Sequence, residues 1–307
     1  MHARSAMPQF LLAVGLGLVL VSPATAAGPW SLAKGESWTT LQGGFYSSDV
    51  YHDQNGDKHA LAGGGLIEQR SLTWGGELGW KKRVSFAFSV PFVSLTRRLG
   101  DYTGPDDPGA LPTATGFGDG VFGLKFNLKN GPSAAAIELD WKAPLGYERS
   151  PTYFGNDTID VNTARQLDPP RLGEGQQDVT LALHLGSAIG SRGFVQAMGG
   201  YKYRFEDPSD QIVLSGDLGL WMGKTWFLGG MYRGQLASEG DNPTRDADRH
   251  LVGPVLLYRV DDKLDLFARS LHTASAKNAT HTDEVFVGLA FKKTSLGRQQ
   301  GYMGTTK

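Results

Sequence analysis

The 307-residue sequence contains no cysteine. That excludes a disulfide framework and any thiolate-ligated metal. Charge of one sign is also missing: 30 Lys and Arg stand against 31 Asp and Glu, a formal net charge of −1. A partner recognised by bulk charge, nucleic acid above all, is therefore not expected. Past residue 26 no apolar stretch approaches the roughly 20 residues a membrane-spanning helix needs, and helical periodicity is nearly absent. None of the seven histidines is followed two places later by serine. A barrel lipase would need that pairing of base and nucleophile on one strand, so no catalytic residue is assigned and the chain is not expected to be an enzyme. Neither a cofactor nor a metal is expected. The acidic stretch from Asp53 to Asp57 lacks the glycine and glutamate placement of a calcium loop and reads as a turn.

The one long apolar run is N-terminal. His2 and Arg4 precede residues 10–21 (FLLAVGLGLVLV), Pro23 breaks the run, and Ala24, Thr25 and Ala26 supply the small residues signal peptidase requires. Residues 1–26 are expected to be a cleaved signal peptide, with export through the general secretory pathway. Residues 294–307 are polar and are expected to form a disordered periplasmic tail.

What remains is rich in glycine, 42 residues, with 10 Tyr, 7 Trp and 15 Phe. It alternates with a period of two. Phe86, Phe88, Val90 and Phe92 alternate with Ser85, Ala87 and Ser89, and Val179, Leu181, Leu183 and Leu185 alternate with Asp178, Thr180, Ala182 and His184. Such runs predict about twelve strands. They lie near 37–51, 65–80, 84–97, 116–129, 133–146, 174–189, 194–206, 211–222, 226–238, 250–260, 264–274 and 283–293. The connections 81–83, 129–132, 190–193, 223–225 and 261–263 are tight and rich in Gly, Asn and Lys. Between them fall mostly longer polar loops: 52–64, 98–115, 147–173, 207–210, 239–249 and 275–282.

Short and long connections thus alternate strictly, with both chain ends on the short-turn side. That asymmetry predicts an all-β fold, a transmembrane antiparallel up-and-down β-barrel over 27–293, with periplasmic short turns and extracellular long loops. Trp80, Phe126, Phe194, Trp221, Trp226 and Tyr258 all lie near short turns and are expected to form the aromatic girdle at one membrane interface. Outer-membrane lipid, lipopolysaccharide and the assembly machinery are the implied partners. Residues 284–291 (EVFVGLAF) resemble the strand that such machinery reads, although the chain continues beyond them.

Four short motifs carry a family likeness. They are Ser89-Val90-Pro91-Phe92, the run from Gly116 through Gly118, Asp119 and Lys125 to Phe126, Ala143-Pro144-Leu145-Gly146, and Gly173-Glu174-Gly175-Gln176-Gln177-Asp178. In this order they resemble the outer-membrane family named for the MetA pathway of phenol degradation. The resemblance implies a Gram-negative outer-membrane channel admitting small hydrophobic or aromatic solutes. Gly116, Gly118, Asp119, Gly175 and Asp178 then mark the strand starts at the extracellular rim, where a structural role is the simpler expectation.

A barrel of about twelve strands lies between the filled interior of about eight and the open channel of about sixteen, so a narrow lumen is expected. Parity points Glu77, Lys125, Glu138, Asp140, Lys142, His184, Lys202, Arg204, Asp217, Arg233, Arg259 and Arg269 inward. With both signs present, mutual pairing across the lumen is the favoured role, and no strong ion filter is predicted. Two other roles stay open. One is a barrel without transport whose long loops bind a partner, and the other a lipid-acting enzyme using His184.

Overall fold

The computed structural model describes residues 28–61, 65–98, 113–146, 172–205, 209–238 and 246–293. The expected signal peptide, the C-terminal tail and much of the long loops lie outside them. The described chain is a closed antiparallel barrel of twelve strands. β1 (Ser37–Ser48) pairs with β4 (Leu66–Lys81), which pairs with β5 (Val84–Arg98). The next strand is broken at Gly118 into β6 (Thr113–Phe117) and β7 (Asp119–Lys129), both hydrogen-bonded to β5. There follow β8 (Ser133–Pro144), β9 (Asp178–Ile189), β10 (Gly193–Arg204), β11 (Gln211–Met222), β12 (Trp226–Ala237), β13 (Asp248–Arg259) and β14 (Leu264–Lys277). Finally β16 (Asp283–Lys293) pairs with both β14 and β1 and closes the ring.

Closure has a physical cause. Inside hydrocarbon an unpaired backbone amide costs several kcal/mol, so a sheet without edges is the only sheet that can span. The side chains follow the same logic. Trp74 and Trp80 of β4, Leu181 and Leu185 of β9, Leu218 of β11 and Val287 of β16 are exposed on the outer face. Lys125, Glu138, Asp265 and Glu284 are among the most buried side chains of the molecule. Charge lies inside and grease outside, the reverse of a fold with water around it.

The strands fall close to the expected segments, with informative differences. β1 stops at Ser48 because the chain turns away into a small three-stranded sheet: β2 (Val50–His52), β3 (Lys58–Ala60) and β15 (Ala279–Thr280). Strands this short carry no readable period. β9 begins at Asp178 and not at 174, because the residues before it leave the sheet: Leu172 packs among Tyr46, Ile67, Val93 and Leu95, and Glu174 turns to Lys142 and Arg204. At the β6/β7 break the Gly118 amide donates to the Pro91 carbonyl at 3.0 Å. A Cβ on Gly118 would stand 2.9 Å from the Leu172 carbonyl oxygen, so only glycine admits this close approach.

The aromatic girdle needs correction. Trp80, Phe126, Trp226 and Tyr258 do face outward, but Phe194 is 1 % exposed and Trp221 6 % exposed, both inside. They share the face of their strands that carries the lumenal Gln196 and Asp217.

Candidate functional site

The interior is not an open pipe. Residues 28–36, which precede β1, run within the short-turn end of the barrel. The Lys125 ammonium donates to the carbonyls of Gly28 (2.9 Å) and Trp30 (3.3 Å), and the Asn127 amide donates to the Pro29 carbonyl at 2.9 Å. The Trp30 indole N–H donates to the Gly131 carbonyl at 2.9 Å, and the Gly35 amide donates to the Gly79 carbonyl at 2.9 Å. The Trp30 ring meets Phe194 edge-on at 6.2 Å; Phe194 stacks on Phe227 at 5.4 Å, and Trp221 lies beside Phe227. Met231, Leu251, Val255 and Leu257 extend this cluster along the wall. One side of the lumen therefore packs like the core of a globular domain.

The long-loop end is closed differently. Leu172 packs against Tyr46, Ile67, Val93 and Leu95. Beside it an ion-pair network gathers four strands and the segment leading into β9. Lys142 contacts Glu174, lies 2.5 Å from Asp178 and 3.9 Å from Asp119. Arg204 reaches Glu174 at 3.2 Å and Asp178 at 3.8 Å. The Glu174 amide donates to Asp119 at 2.8 Å. Burial alone would raise the Glu174 pKa, but Lys142, Arg204 and Lys202 together hold it well below the usual carboxylate range. Of the rim motif residues, Asp119 and Asp178 thus serve as acceptors for this network. Gly116 and Gly118 leave room for Leu172, and Gly175 turns the chain at a φ of 73°.

Between these two ends the charged residues meet in pairs. Glu77 contacts Lys125, His184 Nε2 lies 2.7 Å from the Glu138 carboxylate, and Arg233 donates to Asp217 at 2.7 Å. Asp140 stands beside Glu138, flanking Gly123. Lys202 donates to the Gln211 amide oxygen at 3.2 Å, and Arg269 donates to Gln42 at 3.0 Å with its guanidinium over the Phe286 ring. Arg259 shares Asp265 with Lys292 and lies 4.0 Å over the Trp221 ring. Sequence reasoning omitted Glu174, Arg249, Asp265, Glu284 and Lys292. Asp265 has the parity of Arg269, and Glu284 and Lys292 alternate with outward Val285, Val287 and Phe291, so a signal for these three was present.

Two cavities are lined by described residues. The smaller has Gly44, Tyr46, Thr73, Ser89, Val121 and Leu172 in its walls. The larger lies between β8 and β13, with Asp140, His184, Lys202, Arg249, Met198 and Leu251 among its walls. Ser215 also borders it, but no hydroxyl is hydrogen-bonded to His184 among the described residues, so no base and nucleophile are joined there. In the outer connections, Asp53 accepts the amides of Asn55 (2.8 Å) and Asp57 (3.0 Å) and meets His59 at 3.1 Å, which is a turn closed on itself. No group of three or more metal-binding side chains occurs among the described residues.

No family model matches the chain. No curated protein matches it either. Solved structures do. The COG4313 outer membrane channel from Pseudomonas putida F1 superposes with a TM-score of 0.66 at 12 % identity, over 86 % of this chain and 98 % of that one. The NanC porin superposes with a TM-score of 0.50 at 8 % identity, over 83 % and 100 %. At such identity the likeness speaks for the fold: this chain shares the closed antiparallel barrel of these outer-membrane channels.

Proposed function

We propose that the chain is a passive outer-membrane channel for small, hydrophobic or aromatic molecules, in the manner of the MetA-pathway family its motifs resemble. Exported through the general secretory pathway and freed of residues 1–26, it sits among lipid and lipopolysaccharide with its long loops outward. The observation that supports transport is the pair of lumenal cavities, which are walled partly by apolar side chains and capped at both ends by chain segments. Those caps are held by hydrogen bonds and ion pairs that can open and re-form. Residues 28–36 would be the periplasmic gate, and the Leu172–Gln177 segment the extracellular one. The lumen-facing charges brace the wall and line the path.

The test is conductance in planar bilayers and solute uptake into liposomes with the purified barrel. Uptake of small aromatic solutes above protein-free liposomes is expected. A barrel that inserts and folds yet passes neither ions nor solute rejects the channel.

A further inference from the structure

Several lumenal cations meet a carboxylate directly, as in the pairs of Lys125 with Glu77 and Arg233 with Asp217. Arg249 makes no such ion pair among the described residues. It is 5 % exposed, it lines the larger cavity, and its Nη1 is buried with no hydrogen-bond partner among the described residues. The nearby carboxylate, Glu284, is shared electrostatically by Arg249 and Arg269. Two guanidinium groups thus draw on one acid.

Asp140 and His184 also line this cavity, and His184 lies 2.7 Å from the Glu138 carboxylate. Carboxyl and imidazole groups can balance their charge with protons taken from water. A guanidinium cannot, because arginine does not lose its proton in proteins. An anion from outside would supplement the charge of Glu284 that it shares with Arg269. Beside the charged Lys142, Asp178, Lys202 and Arg233, the lining includes the apolar Met198, Val213, Leu214 and Leu251. An inorganic anion would leave these side chains facing empty space, whereas an organic anion would cover them.

We infer that the larger cavity binds a small organic monoanion, its carboxylate or sulfonate on Arg249 and its hydrocarbon body against Met198, Val213 and Leu251. This rests on the channel proposed above and narrows its solute to an amphipathic acid.

Two measurements separate this inference from the channel itself. First, binding of 4-fluorobenzoate and 4-fluorobenzamide to the full detergent-solubilised barrel is followed by fluorine NMR. A charge-assisted contact should make the acid bind about tenfold tighter than the amide. Arg249→Gln should bring that ratio close to one, and Arg249→Lys should restore much of it. Second, the flux of benzenesulfonate into liposomes is measured with the same protein. Equal binding of acid and amide by the wild type overturns the inference whether or not the variants fold. So does chloride that displaces the acid at equal concentration, since the apolar walls would then play no part. Tight acid binding without sulfonate flux supports the site and rejects the channel.

Discussion

The two ends of the lumen are shut by different physics. At the short-turn end a nine-residue segment is held by buried aromatic packing around Trp30 and by a buried lysine that grips two of its carbonyls. At the long-loop end the closure is electrostatic, with Lys142 and Arg204 holding Glu174 of the entering segment beside the wall carboxylates Asp178 and Asp119. Apolar packing is indifferent to pH, whereas a network of titratable carboxylates responds to it even when buried. The first closure should therefore yield only to mutation, and the second to acid.

The largest effect is expected from removing the aromatic anchor. Trp30→Ala deletes a fully packed ring, a change that costs about 3–5 kcal/mol in protein cores. Deleting residues 28–34 removes the whole obstruction. Both should raise single-channel conductance and expose the segment's remainder to protease at neutral pH. Unaltered conductance in the deletion would mean the constriction lies elsewhere. Lys125→Met comes next, because it strands buried Glu77 and frees the carbonyls of Gly28 and Trp30 together. Breaking one partner of a buried pair costs about 3–5 kcal/mol, which a shift in the urea midpoint of the folded barrel in lipid would register. Gly79→Ala should do less. Its Cβ would stand 1.9 Å from the Ala33 carbonyl oxygen, and the overpacking, about 1–3 kcal/mol, can be relieved by moving residues 32–33. Partial opening, with the barrel itself unaffected, is the expected result.

The sequence carried the barrel but not its stoppers, for a definite reason. A period of two and the alternation of short and long connections are imposed by lipid on one face and a lumen on the other, so they are written into every strand. Residues 28–36 have no period, since an irregular segment inside a barrel obeys local packing only. Phe194 and Trp221 were assigned to the girdle by their nearness to short turns, although parity with Gln196 and Asp217 points both inward. The three-stranded sheet of β2, β3 and β15 was hidden because elements of two or three residues in polar loops resemble turns. Arg249 escaped because its strand was expected to begin at 250, one residue too late.

The smallest predicted effect is the one that sharpens the contrast between the two ends. Glu174 has a folded-state pKa held below its unfolded value, which is about 4.3 for a free glutamate. The stability it lends to the segment leading into β9 is therefore fully present above pH of about 4.3 and is lost as pH falls through the lowered folded value. Hydrogen exchange at the amides of residues 172–178 should accelerate on that descent. The Gly35 amide, which donates to the Gly79 carbonyl, should change far less. Glu174→Gln abolishes the charge at every pH, so its 172–178 amides should exchange faster than wild type at pH 7 and lose the step on acidification. High salt should do far less than acid at the long-loop end, since the pairs there are buried and weakly screened. Parallel responses of both ends to acid would show that one cooperative unit closes the lumen, and the distinction between an aromatic lock and an electrostatic latch would fall.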